Sequence, residues 1–245
     1  MHQFEINRLL KLEWFGFDAS FTNSSLFMLA AVALTVGFLT WAMSARELVP
    51  GRAQSVAEMS YEFIVGMVRE NLGEEGMKFF PWVFSIFAFV FMLNMLGMLP
   101  LMDWGFTSTS HIIVTFALAA MVWATVTMIG FWRHGVGFLK LFVPSGVPFW
   151  VLPIIVPIEV ISYFIRPISH SVRLFANMMA GHTMLKVFAG FIVSFAGAGY
   201  WWAGVAPLLF MVAFTGLEVF VAFMQAFIFT VLTCVYLNDA LNMHH

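Results

Sequence analysis

Charge is what this sequence has least of. Only 10% of its 245 residues are Asp, Glu, Lys or Arg, against about 25% in an ordinary soluble domain, while 62% are hydrophobic. That balance excludes a water-soluble globular domain and indicates an integral membrane protein. The apolar stretches are too long for barrel strands, so the fold class is an all-α membrane protein. Cysteine is nearly absent. The single Cys234 can close no internal disulfide, has no ligand cluster in its sequence neighbourhood, and reads as a buried, inert thiol. No metal and no cofactor is implied. A formal net charge of −2 with no basic patch gives no reason to assign a nucleic-acid partner. A cleavable leader is also poorly represented. Arg8 and Lys11 mix with Glu5, Glu13 and Asp18, and the first apolar run, Leu26 to Met43, exceeds the usual leader core.

What remains is a succession of greasy segments. A first membrane helix is predicted over 26–44. A connection with Arg46, Glu47, Pro50 and Arg52 leads to residues 54–71. There Val56, Met59, Phe63 and Met67 recur at helical spacing among Glu58, Glu62, Arg69 and Glu70, which predicts an amphipathic helix lying at the interface. Helices over 79–99, ending at Pro100, and over 112–132 form a transmembrane hairpin around a polar turn, Asp103 to Ser110. Arg46, Arg52, Arg69 and Lys78 cluster between helices 1 and 3, and Arg133 and Lys140 follow helix 4. The turn between helices 3 and 4 has neither Lys nor Arg. The positive-inside rule therefore sets the N-terminus outside, the 45–78 and 133–147 connections inside, and the C-terminus inside. The chain as a whole, 1–245, reads as one integral membrane domain.

The last hundred residues do not fit upright spans. The segment 149–196 carries Pro153, Pro157 and Pro167 but little other turn signal, and 201–238 is nearly as long. Counted from Ile158, a continuous helix to 196 would measure about 58 Å. The hydrocarbon core is about 30 Å thick, so such a helix must tilt by roughly 60°. Two long, strongly tilted helices packed as a hairpin are expected. The alternative is a break near Pro167 or Gly181.

The first long helix is not uniformly apolar. At 100° per residue, Glu159, Ser162, Arg166, Ser169, Arg173 and Asn177 fall within about 40° of Arg173, with His170 at the edge. Arg173 is the residue in most need of explanation, since its guanidinium stays charged at any accessible pH. Burying it at bilayer depth costs at least about 2.5–3.5 kcal/mol. His182 points the other way and shares a face with Lys186. On the final helix Glu218 and Gln225 share a face, with Thr215 and Tyr236 roughly aligned, and a hairpin would bring Glu218 toward His182. Acid and imidazole exchange protons, whereas a guanidinium does not. The pattern is that of a proton path with an electrostatic barrier. Plainer roles stand beside it: Glu159 neutralising Arg166, Lys186 reaching a headgroup, and His170 or His182 as hydrogen-bonded interior residues. A secondary ion transporter and a structural or quinone-binding subunit of a respiratory complex are the rival classes. The chain shows no internal repeat for the first, and the second leaves the polar stripe unexplained.

The run Arg-Leu-Phe-Ala-Asn-Met-Met-Ala-Gly-His at 173–182 and the run Gln-Ala-Phe-Ile-Phe-Thr-Val-Leu-Thr-Cys-Val-Tyr-Leu at 225–237 resemble subunit a of the F-type ATP synthase. Pro-Ile-Glu-Val-Ile-Ser at 157–162 and the stretch from Asn94 to Pro100 extend the likeness over most of the chain. The resemblance implies the stator half of a proton turbine, non-catalytic by itself, facing a ring of c subunits through two offset half-channels. It matches Arg173 to the essential arginine, with Asn177 and Gln225 flanking it. It places His182 and Glu218 in the inlet and Glu159 and Ser169 on the outlet side. It implies the c-ring, b-type peripheral-stalk subunits, the remainder of the synthase and the lipid bilayer as partners. The setting implied is an energy-transducing inner membrane, the bacterial plasma membrane ahead of the mitochondrial inner membrane. The chain departs from one bacterial pattern in exchanging the acid and the imidazole at 182 and 218, as in mitochondrial and alphaproteobacterial members. It departs also in Gly97, where some members carry Asp, and in Arg166, where others have Lys.

Overall fold

The computed structural model describes residues 22–44, 47, 49–98, 108–143, 148 and 150–242, and the backbone alone at 8–10, 13, 14, 17, 18 and 21. Four short strands come first. β1 (Arg8–Leu10) pairs antiparallel with β4 (Phe21–Thr22), and β2 (Glu13–Trp14) pairs antiparallel with β3 (Phe17–Asp18). Among the described residues, every regular element after them is a helix. The order is α1 (Asn23–Ala42), α2 (Arg52–Leu72), α3 (Phe80–Met98), α4 (Ile112–His134), α5 (Leu152–Gly197) and α6 (Val205–Leu241). Short 3-10 segments at Glu74–Phe79, Gly135–Phe142 and Trp201–Gly204 precede α3, follow α4 and precede α6. Among the described residues, five helical stretches are long and apolar enough to cross a membrane. The predicted turn at Asp103 and the helix end at Pro100 lie outside the described residues, while Ser108–Ser110 forms a 3-10 turn.

Local chemistry explains several boundaries. The Thr22 hydroxyl accepts a hydrogen bond from the Ser25 N–H at 3.4 Å, the N-cap pattern that starts α1. Gln54, buried, donates to the Glu47 carbonyl at 3.0 Å and to the Glu58 carboxylate at 2.8 Å, closing the loop that enters α2. Gly73, at φ 67°, ends α2 in a backbone region where a side chain would be strained. The amphipathic row of α2 stays largely outside the protein packing. Of Val56, Met59, Phe63 and Met67, only Met67 is buried; the packed face is Ala57, Ile64, Met67, Val68 and Leu72. The helix has two apolar rows, and packing took the one with the smaller and branched side chains.

α5 continues through Pro157 and Pro167 without a break at either proline or at Gly181. Each interior proline removes one hydrogen bond of the helical ladder. Lipid, which offers no competing hydrogen-bond partners, keeps the remaining ladder intact. At 46 residues α5 is about 69 Å long.

By contacts the chain forms two compact units. The first comprises Met1–Phe38, Ala88–His111 and Leu174–Phe227. Within it α5 and α6 pair in opposite directions, Phe188 stacking on Phe210 at 4.8 Å between centroids and His182 meeting Glu218. The second comprises Leu39–Phe87, Ile112–Arg173 and Ile228–His245. Its centre is aromatic. Phe138 is fully buried, with its ring where a Cβ on Gly130 would stand, and Tyr163 lies among Trp123, Phe138 and Phe142. In both units the core forms where helices meet, and the remaining helix faces stay apolar and exposed, as a lipid-facing surface requires.

Candidate functional site

In the first unit α5 and α6 bring an imidazole and a carboxylate together. His182 Nδ1 lies 3.9 Å from Glu218 Oε1, and the two residues are 8% and 5% exposed. Gly181 makes room for this approach. A Cβ there would come within 2.5 Å of Glu218 Oε1, so only glycine leaves the carboxylate its place. Both carboxylate oxygens of Glu218 are buried and have no hydrogen-bond partner among the described residues. One turn along α6, the Asn94 amide of α3 donates to the Ala222 carbonyl at 3.3 Å. Ala222 and Gln225 follow Glu218 by four and seven residues, so all three share one face, and all are buried. Asn94 Oδ1 and the hydroxyls of Ser108 and Thr109, also buried in this unit, lack hydrogen-bond partners among the described residues. Buried polar atoms of this kind are commonly satisfied by ordered water. Asn177 is half-buried. The Lys186 ammonium is buried, which corrects the reading of a side chain reaching a headgroup.

In the second unit Arg173 is exposed, and no carboxylate lies within 4.0 Å of it among the described residues. The turns before it are firmly held. Arg166 pairs with Asp239 of α6 at 3.1 Å, with its guanidinium over the rings of Tyr163 and Tyr236 at 5.4 and 4.9 Å. Tyr163 in turn shares a 2.6 Å hydrogen bond with Thr127 of α4. Ser171 and Thr115 hydroxyls share a buried hydrogen bond at 3.0 Å. Glu159 is half-buried and makes no ion pair among the described residues, so it does not neutralise Arg166 as the sequence alone allowed. Ser169 is exposed and donates to the Arg166 carbonyl at 3.0 Å.

Sequence reasoning missed Asp239, Asn94 as a docking group, and the Thr115–Ser171 pair. Each carried a signal: a carboxylate in the last turn of a greasy helix, an amide inside an apolar run, and hydroxyls on facing helices. None of those signals names its partner.

These features define a multi-pass, helical membrane protein with a buried acid–imidazole pair and an exposed guanidinium on a long apolar helix. The chain belongs to the ATP synthase A chain family, whose model matches residues 25–238. It is 60% identical over 243 residues to the ATP synthase subunit a of Allorhizobium ampelinum, covering 98% of this chain and 96% of that one. It is 59% identical over 247 residues to that of Chelativorans sp., covering 100% and 98%, and 55% identical over 251 residues to that of Maricaulis maris, covering 99% and 97%.

Proposed function

We propose that this chain is the proton-translocating stator subunit of an ATP synthase, forming two offset half-channels against a rotating c-ring. One observation carries the reading. A single helix, α5, presents a buried proton-exchanging pair with Glu218 at His182 and, nine residues earlier, an exposed guanidinium with no carboxylate within ion-pair distance among the described residues. A proton needs groups that take it and give it up, and Glu218 and His182 are such groups. At 3.9 Å they sit just beyond direct hydrogen bonding, within reach of one bridging water or a small side-chain rotation.

Protons enter from the outer side, pass Glu218 and His182 in a path lined also by Asn94 and Gln225, and load a carboxylate on the ring. A protonated, neutral site tolerates lipid, whereas an ionised one pays at least about 2.5 kcal/mol there. The ring therefore turns in the direction that exposes only neutral sites. The returning site releases its proton through an outlet at Glu159 and Ser169. Arg173, with Asn177 and Gln225 flanking it, attracts the ionised ring carboxylate and repels a proton that would cross directly. α5, about 69 Å long, lies strongly tilted in a core about 30 Å thick, packed with α6 as a hairpin along the ring, and α2 lies at the interface. The N-terminus faces outward and the C-terminus inward, in an energy-transducing inner membrane such as the bacterial plasma membrane. b-type stalk subunits hold the chain against the torque, and catalysis occurs elsewhere in the complex.

The test is Arg173→Ala in the assembled synthase, reading ATP synthesis and passive proton leak in membrane vesicles. Coupled synthesis is expected to vanish while protons still cross. Arg173→Lys should fail as well, because a point charge does not reproduce the planar fork. Normal synthesis in Arg173→Ala would remove the proposed role.

A further inference from the structure

His170 is 3% exposed, and the mechanism above leaves it without a task. Its ring stacks on Phe229 of α6 with centroids 3.9 Å apart and planes 33° from parallel, and meets the edge of Tyr236 at 6.0 Å. It therefore grips α6 through ring contacts with two of its residues. The next residue, Ser171, is tied to Thr115 of α4. Two successive side chains thus bind this turn of α5 to two different helices within one compact unit.

The consequence falls on Arg173, three residues on. Successive residues on a helix differ by 100°. His170 and Ser171 are buried, while Ser169, Val172 and Arg173 are exposed. A rotation of α5 by one residue in one sense would turn the guanidinium toward the packed side. The Arg166–Asp239 pair lies one turn earlier and is only part-buried, so it is a weaker brake on such rotation.

We infer that His170 is a positioning residue, which fixes the rotational setting of α5 through Phe229 and so aims Arg173 outward. The inference rests on the proposed role of Arg173, yet the setting of the helix can be read without it. The experiment compares His170→Ala, His170→Phe and Phe229→Leu in the assembled complex, with two readouts. One is the ratio of ATP synthesis to passive proton leak. The other is the maleimide labelling rate of a cysteine placed by Val172→Cys, with Cys234→Ala removing the native thiol. His170→Ala and Phe229→Leu are expected to change the labelling rate and to lower the ratio by roughly tenfold. His170→Phe keeps the stack and should retain most of both. Where His170→Ala does not assemble, the contrast between His170→Phe and Phe229→Leu decides alone. Unchanged labelling in Phe229→Leu, or a His170→Phe variant as impaired as the alanine, overturns the inference. Altered labelling with an unchanged ratio would instead leave the helix setting intact as a finding and count against the role of Arg173.

Discussion

Gly181→Ala separates folding from proton transfer more cleanly than any other change in this chain. The added Cβ would stand 2.5 Å from Glu218 Oε1, 3.0 Å from Cδ and 3.3 Å from Cγ. An ordinary contact begins near 3.4 Å, so the carboxylate must withdraw by about 0.9 Å. The clash is with the far end of a flexible side chain, and the backbone need not move. Alanine is also the better helix former, by about 1 kcal/mol. Assembly should therefore be normal. The 3.9 Å approach of Glu218 to His182 is lost, however, and a misplacement near 1 Å at a reacting group can cost on the order of a hundredfold. ATP synthesis and ATP-driven proton pumping in inverted vesicles should both fall by about tenfold or more, at unchanged levels of assembled complex. Glu218→Asp withdraws the carboxylate by one methylene, so adding Gly181→Ala to that variant should cost little further. Full activity in Gly181→Ala, or the same proportional loss in both backgrounds, would refute the steric argument.

Two further perturbations address what holds the second unit together. Gly130→Ala places a methyl group against the buried Phe138 ring and should destabilise the complex by about 1–3 kcal/mol, read as a lower temperature of half-inactivation, with Phe138→Leu restoring part of the loss. Asp239→Asn leaves Arg166 without its partner. Because the side chains are 28% and 35% exposed, the cost should be about 1 kcal/mol, and the double reversal Arg166→Asp with Asp239→Arg should recover part of it in the same heating assay.

The polar stripe and the opposed pair at 182 and 218 were legible because helical spacing turns sequence into angle. Arg173 and His182, nine residues apart, had to face differently, and one is exposed while the other is buried. The boundaries were less legible. α1 begins at Asn23 rather than 26 because the Thr22 hydroxyl caps it, and α6 is preceded by the 3-10 turn Trp201–Gly204 within what reads as one apolar run. Hydropathy cannot see either device. The packed row of α2 was not legible for a related reason: two apolar stripes satisfy the same periodicity, and only contact with other helices chooses between them.

Residue types and spacing alone determined that this is a helical membrane protein and that an acid, an imidazole and a guanidinium lie on its last two helices. They also determined which of these share a face, since composition sets the solvent and a 100° step sets the direction. Only the tertiary structure decided who meets whom. It gave Arg166 to Asp239 rather than to Glu159, docked Asn94 at Ala222, set Glu218 into the space over Gly181, and wedged His170 against Phe229. Those are contacts between segments far apart in the chain. They depend on the register of one helix against another, which packing fixes and no local pattern records.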